Sequence, residues 1–192
     1  MKLVQIVDAA VGDAVGRSGG WLRCGPGCSQ CCVGVFGISQ VDAELLREGL
    51  AEAEPERAAR VRARAEASVA RLEPWFPGDV ATGILGDSEE AVELFEEYAN
   101  DEVCPALDPG SGTCDLYASR PVLCRTFGPP MRTGDGDLAV CELCFDGASE
   151  EEIERCAVDE EINEIEERMV EEHAERTGAR GRTLVAFALA RA

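Results

Sequence analysis

The sequence predicts a mainly α-helical protein with an irregular, cysteine-rich core carrying short β pieces, flanked by a helical hairpin and a C-terminal acidic helix. Two observations lead to this class. Residues 40–73, and the stretch from Ser149 to the Gly178–Gly181 interruption, are rich in Ala, Glu, Arg and Leu, with apolar residues at helical spacing. The cysteines lie outside these helical stretches, with the exception of Cys156, and mostly in segments broken by Gly and Pro that cannot continue a regular element. With 192 residues there is enough chain for one domain and an appended helical piece. The expected division is a cysteine-cluster domain over 1–148, with helices inserted at about 39–100, and a helical extension over 149–192 packed on it.

Leu3, Val7, Ala10 and Ala14, widened by Val4, Val11 and Val15, predict an amphipathic helix over 3–16, closed by Ser18-Gly19-Gly20. Trp21 and Leu22 are expected to pack beneath the first cysteine loop. Val33–Ile38 is short, apolar and glycine-broken, and reads as a strand. Ser39 with Asp42 caps the next helix, and Pro55 opens its partner. Pro74–Gly78 ends that hairpin and is expected to give two aromatics, Trp75 and Phe76, to the core. Asp87 and Glu90 open a further helix with Val92, Phe95 and Tyr98 on one side. Gly110-Ser111-Gly112 makes a turn, and Pro129-Pro130 stop whatever helix carries Cys124. Met131–Val140 reads as a hairpin about Thr133–Asp137. Ser149 and Glu152 form a capping box, and Val158, Ile162, Ile165 and Met169 stripe the acidic helix that follows. Leu184–Ala190 is an apolar segment whose type its length leaves open.

A net charge of −20 disfavours nucleic acid and anionic membrane surfaces as partners. The run after Met1 is interrupted by Asp8 and Asp13, so no signal-peptide core is read there, and no stretch is long and apolar enough to span a bilayer. A cytoplasmic location is therefore expected, and there ten cysteines are more readily explained by metal than by disulfides.

The densest signal is Cys24-Gly-Pro-Gly-Cys28-Ser-Gln-Cys31-Cys32, four thiols in a loop whose glycines permit tight turns. Spacings of two and three residues between thiols are metal-ligand spacings, and buried structural cysteines account poorly for such density. Cys104, Cys114 and Cys124 follow, then Cys141-Glu-Leu-Cys144. Thiolates select zinc, copper(I) or iron–sulfur clusters, and ten cysteines allow up to two four-ligand sites. Cys156 reads as a core or surface thiol, and His173 as a solvated side chain. A single histidine excludes a His/Cys zinc finger. The spacing Cys24-x3-Cys28-x2-Cys31 also matches the radical S-adenosylmethionine signature, but the chain is short for that barrel and continues as helices. No phosphate loop or Ser/His/Asp constellation is present, and no catalytic residue is assigned.

The loop ending in Cys31-Cys32, followed by Cys104-Pro105, Cys114-x2-Tyr117-x2-Arg120-Pro121-x2-Cys124-Arg125 and Phe127, resembles the YkgJ-like CxxCxxCC cysteine-cluster family over roughly residues 21–145. The flagellin lysine-N-methylase is similar over its cysteine domain. The resemblance implies a zinc- or iron-chelating domain, often labelled iron–sulfur, with Cys24, Cys28, Cys31, Cys32, Cys104, Cys114 and Cys124 as ligands. Cys141 is added as an eighth ligand and Cys144 as a further candidate. Arg120 and Arg125, with Tyr117 of the same motif, are expected beside the sulfurs, where guanidinium donors stabilise negative thiolate sites. The expectation is a 4Fe-4S protein with a redox, sensing or accessory role. Its alternative is a Zn2+-stapled scaffold whose acidic helices bind a protein partner.

Overall fold

A computed structural model of the chain describes residues 2–132, 137–158 and 161–192. The α-helices run α1 (Lys2–Ser18), α2 (Gln40–Glu52), α3 (Pro55–Leu72), α4 (Glu89–Glu96), α5 (Val122–Thr126), α6 (Glu150–Cys156), α7 (Glu161–Thr177) and α8 (Val185–Ala190). The strands are two-residue pieces: β1 (Gly78–Asp79), β2 (Ile84–Leu85), β3 (Leu107–Asp108), β4 (Thr113–Cys114), β5 (Met131–Arg132) and β6 (Leu138–Ala139). They pair antiparallel as β1–β2, β3–β4 and β5–β6. The mainly α class with short β pieces is therefore the class the sequence predicts.

The chain forms two compact units, each built from two segments: Met1–Pro26 with Val122–Glu171, and Gly27–Pro121 with Glu172–Ala192. Compactness thus divides the molecule along different lines from the chain-order division at 148/149.

In the first unit α1 presents Leu3, Val7 and Ala14 to Val122 and Val158, with Ala10, Val11, Met131, Ile165 and Met169 around them. Val15 is exposed, so the buried stripe is narrower than the sequence suggested. The Arg125 guanidinium ties α5 to α1 by donating to both carboxylate oxygens of Asp8 at 2.9 Å. The capping box at Ser149 is present, with Ser149 accepting from Glu152 N–H and Glu152 reaching back. The predicted single acidic helix is two: α6 ends at Cys156, and Val158 is buried while its N–H donates to Pro130. That backbone bond to a neighbouring segment replaces an intrahelical one and breaks the helix. Of the predicted hairpin, Met131↔Ala139 and Arg132↔Leu138 pair; the turn at 133–136, and the side chain of Ile162, lie outside the described residues.

In the second unit Ser39 Oγ accepts from Asp42 N–H at 3.1 Å and starts α2, and Pro55 starts α3, as the caps predict. These helices bury Leu46, Leu50, Val61 and Ala65 against Val185, Ala188 and Leu189 of α8. The segment of open type is thus a helix, and it is almost wholly buried, which explains its lack of an amphipathic period. Thr183 enters it through paired backbone bonds with Ile38 at 2.7 and 2.9 Å. Residues 33–38 make only isolated bridges, Val33↔Val103 and Ile38↔Thr183, rather than the predicted strand.

A second cluster joins Leu72, Phe76, Tyr98, Leu184 and Phe187, where the Tyr98 hydroxyl donates to the Leu72 carbonyl at 2.6 Å. Only one of the two expected aromatics is core: Phe76 is buried, whereas Trp75 is 82 % exposed. The N-cap of α4 is Ser88, which accepts from Ala91 N–H, and Val92 faces solvent. His173 is buried rather than solvated, 3.3 Å from the Glu44 carboxylate and 3.2 Å from Arg176. Its acidic sequence neighbours face outward, and only the fold shows that α7 turns His173 toward α2. Among the described residues, no helix is long and apolar enough to cross a membrane.

Candidate metal centre

The ten thiols fall five to each unit, and none is in a disulfide. The unit boundary passes between Pro26 and Gly27, inside the first cysteine loop. Cys28, Cys31, Cys32, Cys104 and Cys114 belong to the second unit, and Cys24, Cys124, Cys141, Cys144 and Cys156 to the first.

In the second unit one turn of 3-10 helix, Gln30–Cys32, carries the adjacent pair. Backbone bonds draw the distant cysteine segment to it: Cys104 N–H donates to Cys32 O at 2.8 Å, next to the Val33↔Val103 bridge. The β3–β4 pairing sets Leu107 opposite Cys114, and its turn is tied by Asp108, whose carboxylate accepts from Gly110 and Ser111 N–H. Gly112 takes φ +68°, and a Cβ there would lie 3.6 Å from the Gly27 carbonyl, so this turn packs on the loop bearing the exposed Cys28. Arg64 of α3 clamps the hairpin, donating to Pro105 O at 2.8 Å and to Asp115 at 2.6 Å. Sequence reading missed Arg64 because it sits in an arginine-rich helix that reads as a solvated surface.

The thiols of Cys31, Cys32, Cys104 and Cys114 act on one another electrostatically. Cys32 donates its proton to the Cys31 sulfur, which, with the Cys31 amide and Arg120, lowers the Cys31 thiol to about 6 against the opposing effect of burial. The proton of Cys32 is held correspondingly firmly, by that same bond, by burial and by the neighbouring thiols. Burial pushes Cys104 up to about 11, opposed by the N–H groups of Ala106 and Leu107; burial likewise raises Cys114, opposed by Leu116 N–H and Arg120. Arg120 stacks over the Tyr117 ring at 3.9 Å and donates to the Tyr117 carbonyl at 3.0 Å. Tyr117, 63 % exposed, thus holds the arginine that acts on Cys31 and Cys114.

In the first unit the Cys24 and Cys144 sulfurs are 3.9 Å apart, and Arg23 N–H points at Cys144 Sγ at 3.4 Å. Cys141-x-x-Cys144 closes a turn through Cys144 N–H to Cys141 O at 2.8 Å, and Phe145 takes φ 59° to leave it. Phe145 N–H then donates to Trp21 O at 3.0 Å and its ring stacks on Trp21, docking the turn beside Cys24. Gly128, at φ +117°, lies so near that a Cβ would come within 3.0 Å of Cys24 Sγ. Cys156 is fully buried in the same apolar cluster and donates to the Arg17 carbonyl at 3.5 Å. Cys124 lies half-buried on α5, and its neighbour Arg125 is engaged with Asp8.

These residues suit thiolate chelation. Amide donors and a cation serve the sulfurs of the second unit, and a backbone cradle without a Cβ serves Cys24 in the first. Among the described residues, no three Cys, His, Asp or Glu side chains already stand about one ion position. A cavity of about 20 Å³ beside Cys104, lined also by Phe36, Ser68 and Glu102, has room for a water molecule and not for an organic substrate.

The family model CxxCxxCC, described as a "putative zinc- or iron-chelating domain", matches residues 23–145. The chain belongs to that family. Its match runs from Arg23 to Phe145, so it takes in nine of the ten cysteines and leaves out Cys156. No curated protein and no solved structure matches the chain.

Proposed function

We propose that this CxxCxxCC protein binds metal through the thiolates of its second unit and carries there an iron–sulfur cluster in a redox, sensing or accessory role. The observation that supports this is the grouping of Cys31, Cys32, Cys104 and Cys114 under amide donors and Arg120. One of the four is already inclined to be a thiolate at neutral pH. The protons of the other three are displaced when a cation supplies the compensating charge. Hydrogen bonds to the sulfurs and a nearby guanidinium stabilise the net negative centre, and in an iron–sulfur protein they set its reduction potential. A bound cluster would supply one-electron chemistry at that position.

A second reading, a zinc staple with the acidic helices as a docking surface, is favoured by one feature. The sulfurs of Cys31 and Cys32 are hydrogen-bonded to each other, and such proximity suits two ligands of one ion. The discriminating measurement is iron, zinc and acid-labile sulfide per chain in protein purified without oxygen. Iron and sulfide in equal amounts support the cluster; zinc without sulfide supports the staple; absence of all three overturns both.

A further inference from the structure

The first unit holds a sulfur pair that the second unit's chemistry does not use. The Cys24 and Cys144 sulfurs are 3.9 Å apart, although 120 positions of chain separate the two residues. A disulfide bond is about 2.05 Å long, so the two have about 2 Å left to close. Two sulfurs suffice for that bond, whereas enclosing a metal ion takes more donors. We infer that Cys24 and Cys144 are a reversible dithiol–disulfide pair oxidised by hydrogen peroxide, with Cys24 as the sulfur attacked first by the oxidant and Cys144 as the sulfur that resolves it. This modification goes beyond the role proposed above and does not depend on the metal of the second unit.

The surroundings of the two sulfurs assign this order. Cys24 is exposed, so an oxidant in solution reaches it, whereas Cys144 is 5 % exposed and packs with Phe145 and Cys156. Oxidation of thiols follows access, and a sulfenic acid condenses to a disulfide with a thiol held beside it. Backbone bonds hold Cys144 there. The amide of Arg23, the residue before Cys24, donates to Cys144 Sγ at 3.4 Å, and Cys144 N–H closes its own turn on Cys141 O at 2.8 Å. Phe145 N–H then fixes that turn to Trp21 O at 3.0 Å, on the segment that leads into Cys24. The remaining motion falls to the exposed Cys24 side chain, and Gly128 leaves it room to turn: a Cβ there would stand 3.0 Å from the sulfur and 3.7 Å from Cys24 Cβ. In the first step the Cys24 sulfur attacks one peroxide oxygen; an S–O bond forms, the O–O bond breaks, and the other oxygen leaves as water with the Cys24 proton. In the second the Cys144 sulfur attacks the Cys24 sulfur; the S–S bond forms, the S–O bond breaks, and the hydroxyl leaves as a second water with the Cys144 proton. The two thiols give up two electrons and hydrogen peroxide takes both. A dithiol reductant returns both thiols by exchange through a mixed disulfide.

The test exposes the full chain, purified without oxygen, to a small excess of hydrogen peroxide, blocks the remaining thiols by alkylation, and maps linked peptides by tandem mass spectrometry without reduction. The wild-type chain is expected to give a Cys24–Cys144 link that dithiothreitol removes. Cys24→Ser is expected to leave Cys144 unlinked, and Cys156→Ser to keep the link. Cys24 is exposed, so its replacement leaves packing intact even if the buried Cys144→Ser variant folds poorly. In Cys144→Ser, with folding followed by circular dichroism, Cys24 is expected to accumulate as the sulfenic acid and to be trapped by dimedone. A wild-type chain without the link, or with Cys24 joined to another thiol, overturns the inference. Iron, zinc and sulfide measured on the same preparation before oxidation test the second unit separately: their absence overturns the metal reading, while the peptide map still decides the disulfide.

Discussion

Each unit of this protein contains five cysteines, yet the two sets are held by different physics. In the second unit Cys31, Cys32, Cys104 and Cys114 are a charge-coupled group. One thiol is pushed down to about 6, its neighbours are pushed up, and Arg120 and backbone amides face the sulfurs. In the first unit Cys144 and Cys156 are buried with Phe145 in an apolar cluster, and Cys24 meets Cys144 at its edge. The contrast teaches that cysteine count alone does not define a site. What matters is whether donors converge on the sulfurs or hydrocarbon does.

The largest expected effect that sharpens this contrast is metal removal. Structural thiolate sites contribute on the order of 10 kcal/mol to folding of small metal domains. Chelation at neutral pH should therefore lower the melting temperature of the protein by well over 10 °C, with cysteine reactivity rising first at the thiols that held metal. A chain that melts unchanged after metal loss would show that the hydrocarbon, not the ions, stabilises both units.

Next in size is Leu50→Ala, a fully buried side chain in the second unit's core, expected to cost about 2–5 kcal/mol in denaturant unfolding. Gly128→Ala places a methyl against Cys24 Sγ at a left-handed backbone position. It should cost about 1–3 kcal/mol in denaturant unfolding. Cys156→Ser should cost about 1 kcal/mol through the packing of a fully buried site, with metal content unchanged; metal loss there would erase the distinction between packing thiols and ligands.

The smallest effect is on reactivity. In metal-free protein Cys31 is the thiol lowered to about 6, so it gains thiolate as pH rises through that value and alkylates ahead of Cys104, which stays protonated until about 11. Arg120→Ala should move the midpoint of Cys31 alkylation upward by a fraction of a pH unit and slow the reaction at pH 6, read by mass spectrometry. An unchanged profile would remove Arg120 from the site.

Much of the helical frame was legible because its signals are local. Ser39, Pro55 and the Ser149–Glu152 box mark helix starts through bonds made within one turn. Elements whose character depends on distant partners were not. Nothing near Trp75 says that it faces water while Phe76 turns inward, and nothing near His173 announces Glu44. The residues 33–38 have the composition of a strand but find only single bridging partners. At the candidate site, ligand spacing made the cysteines conspicuous. The grouping of Cys31 with Cys104 and Cys114 needs the β3–β4 hairpin and Arg64, and the closeness of Cys24 to Cys144 needs the Trp21–Phe145 dock. Both are long-range contacts that no window of sequence contains.

The discontinuity of the units has a consequence for biosynthesis. The core that α2 and α3 build is completed by α8, and the pair Cys24–Cys144 is completed only when Cys144 has been made. At a synthesis rate of about 5–20 residues per second, the loop bearing Cys24, Cys28, Cys31 and Cys32 leaves the ribosome on the order of ten seconds before its partners. During that interval four clustered thiols are present without a fold to shield them. Their survival depends on the reducing power and metal supply of their surroundings, so the yield of intact protein should fall when it is produced under oxidising conditions.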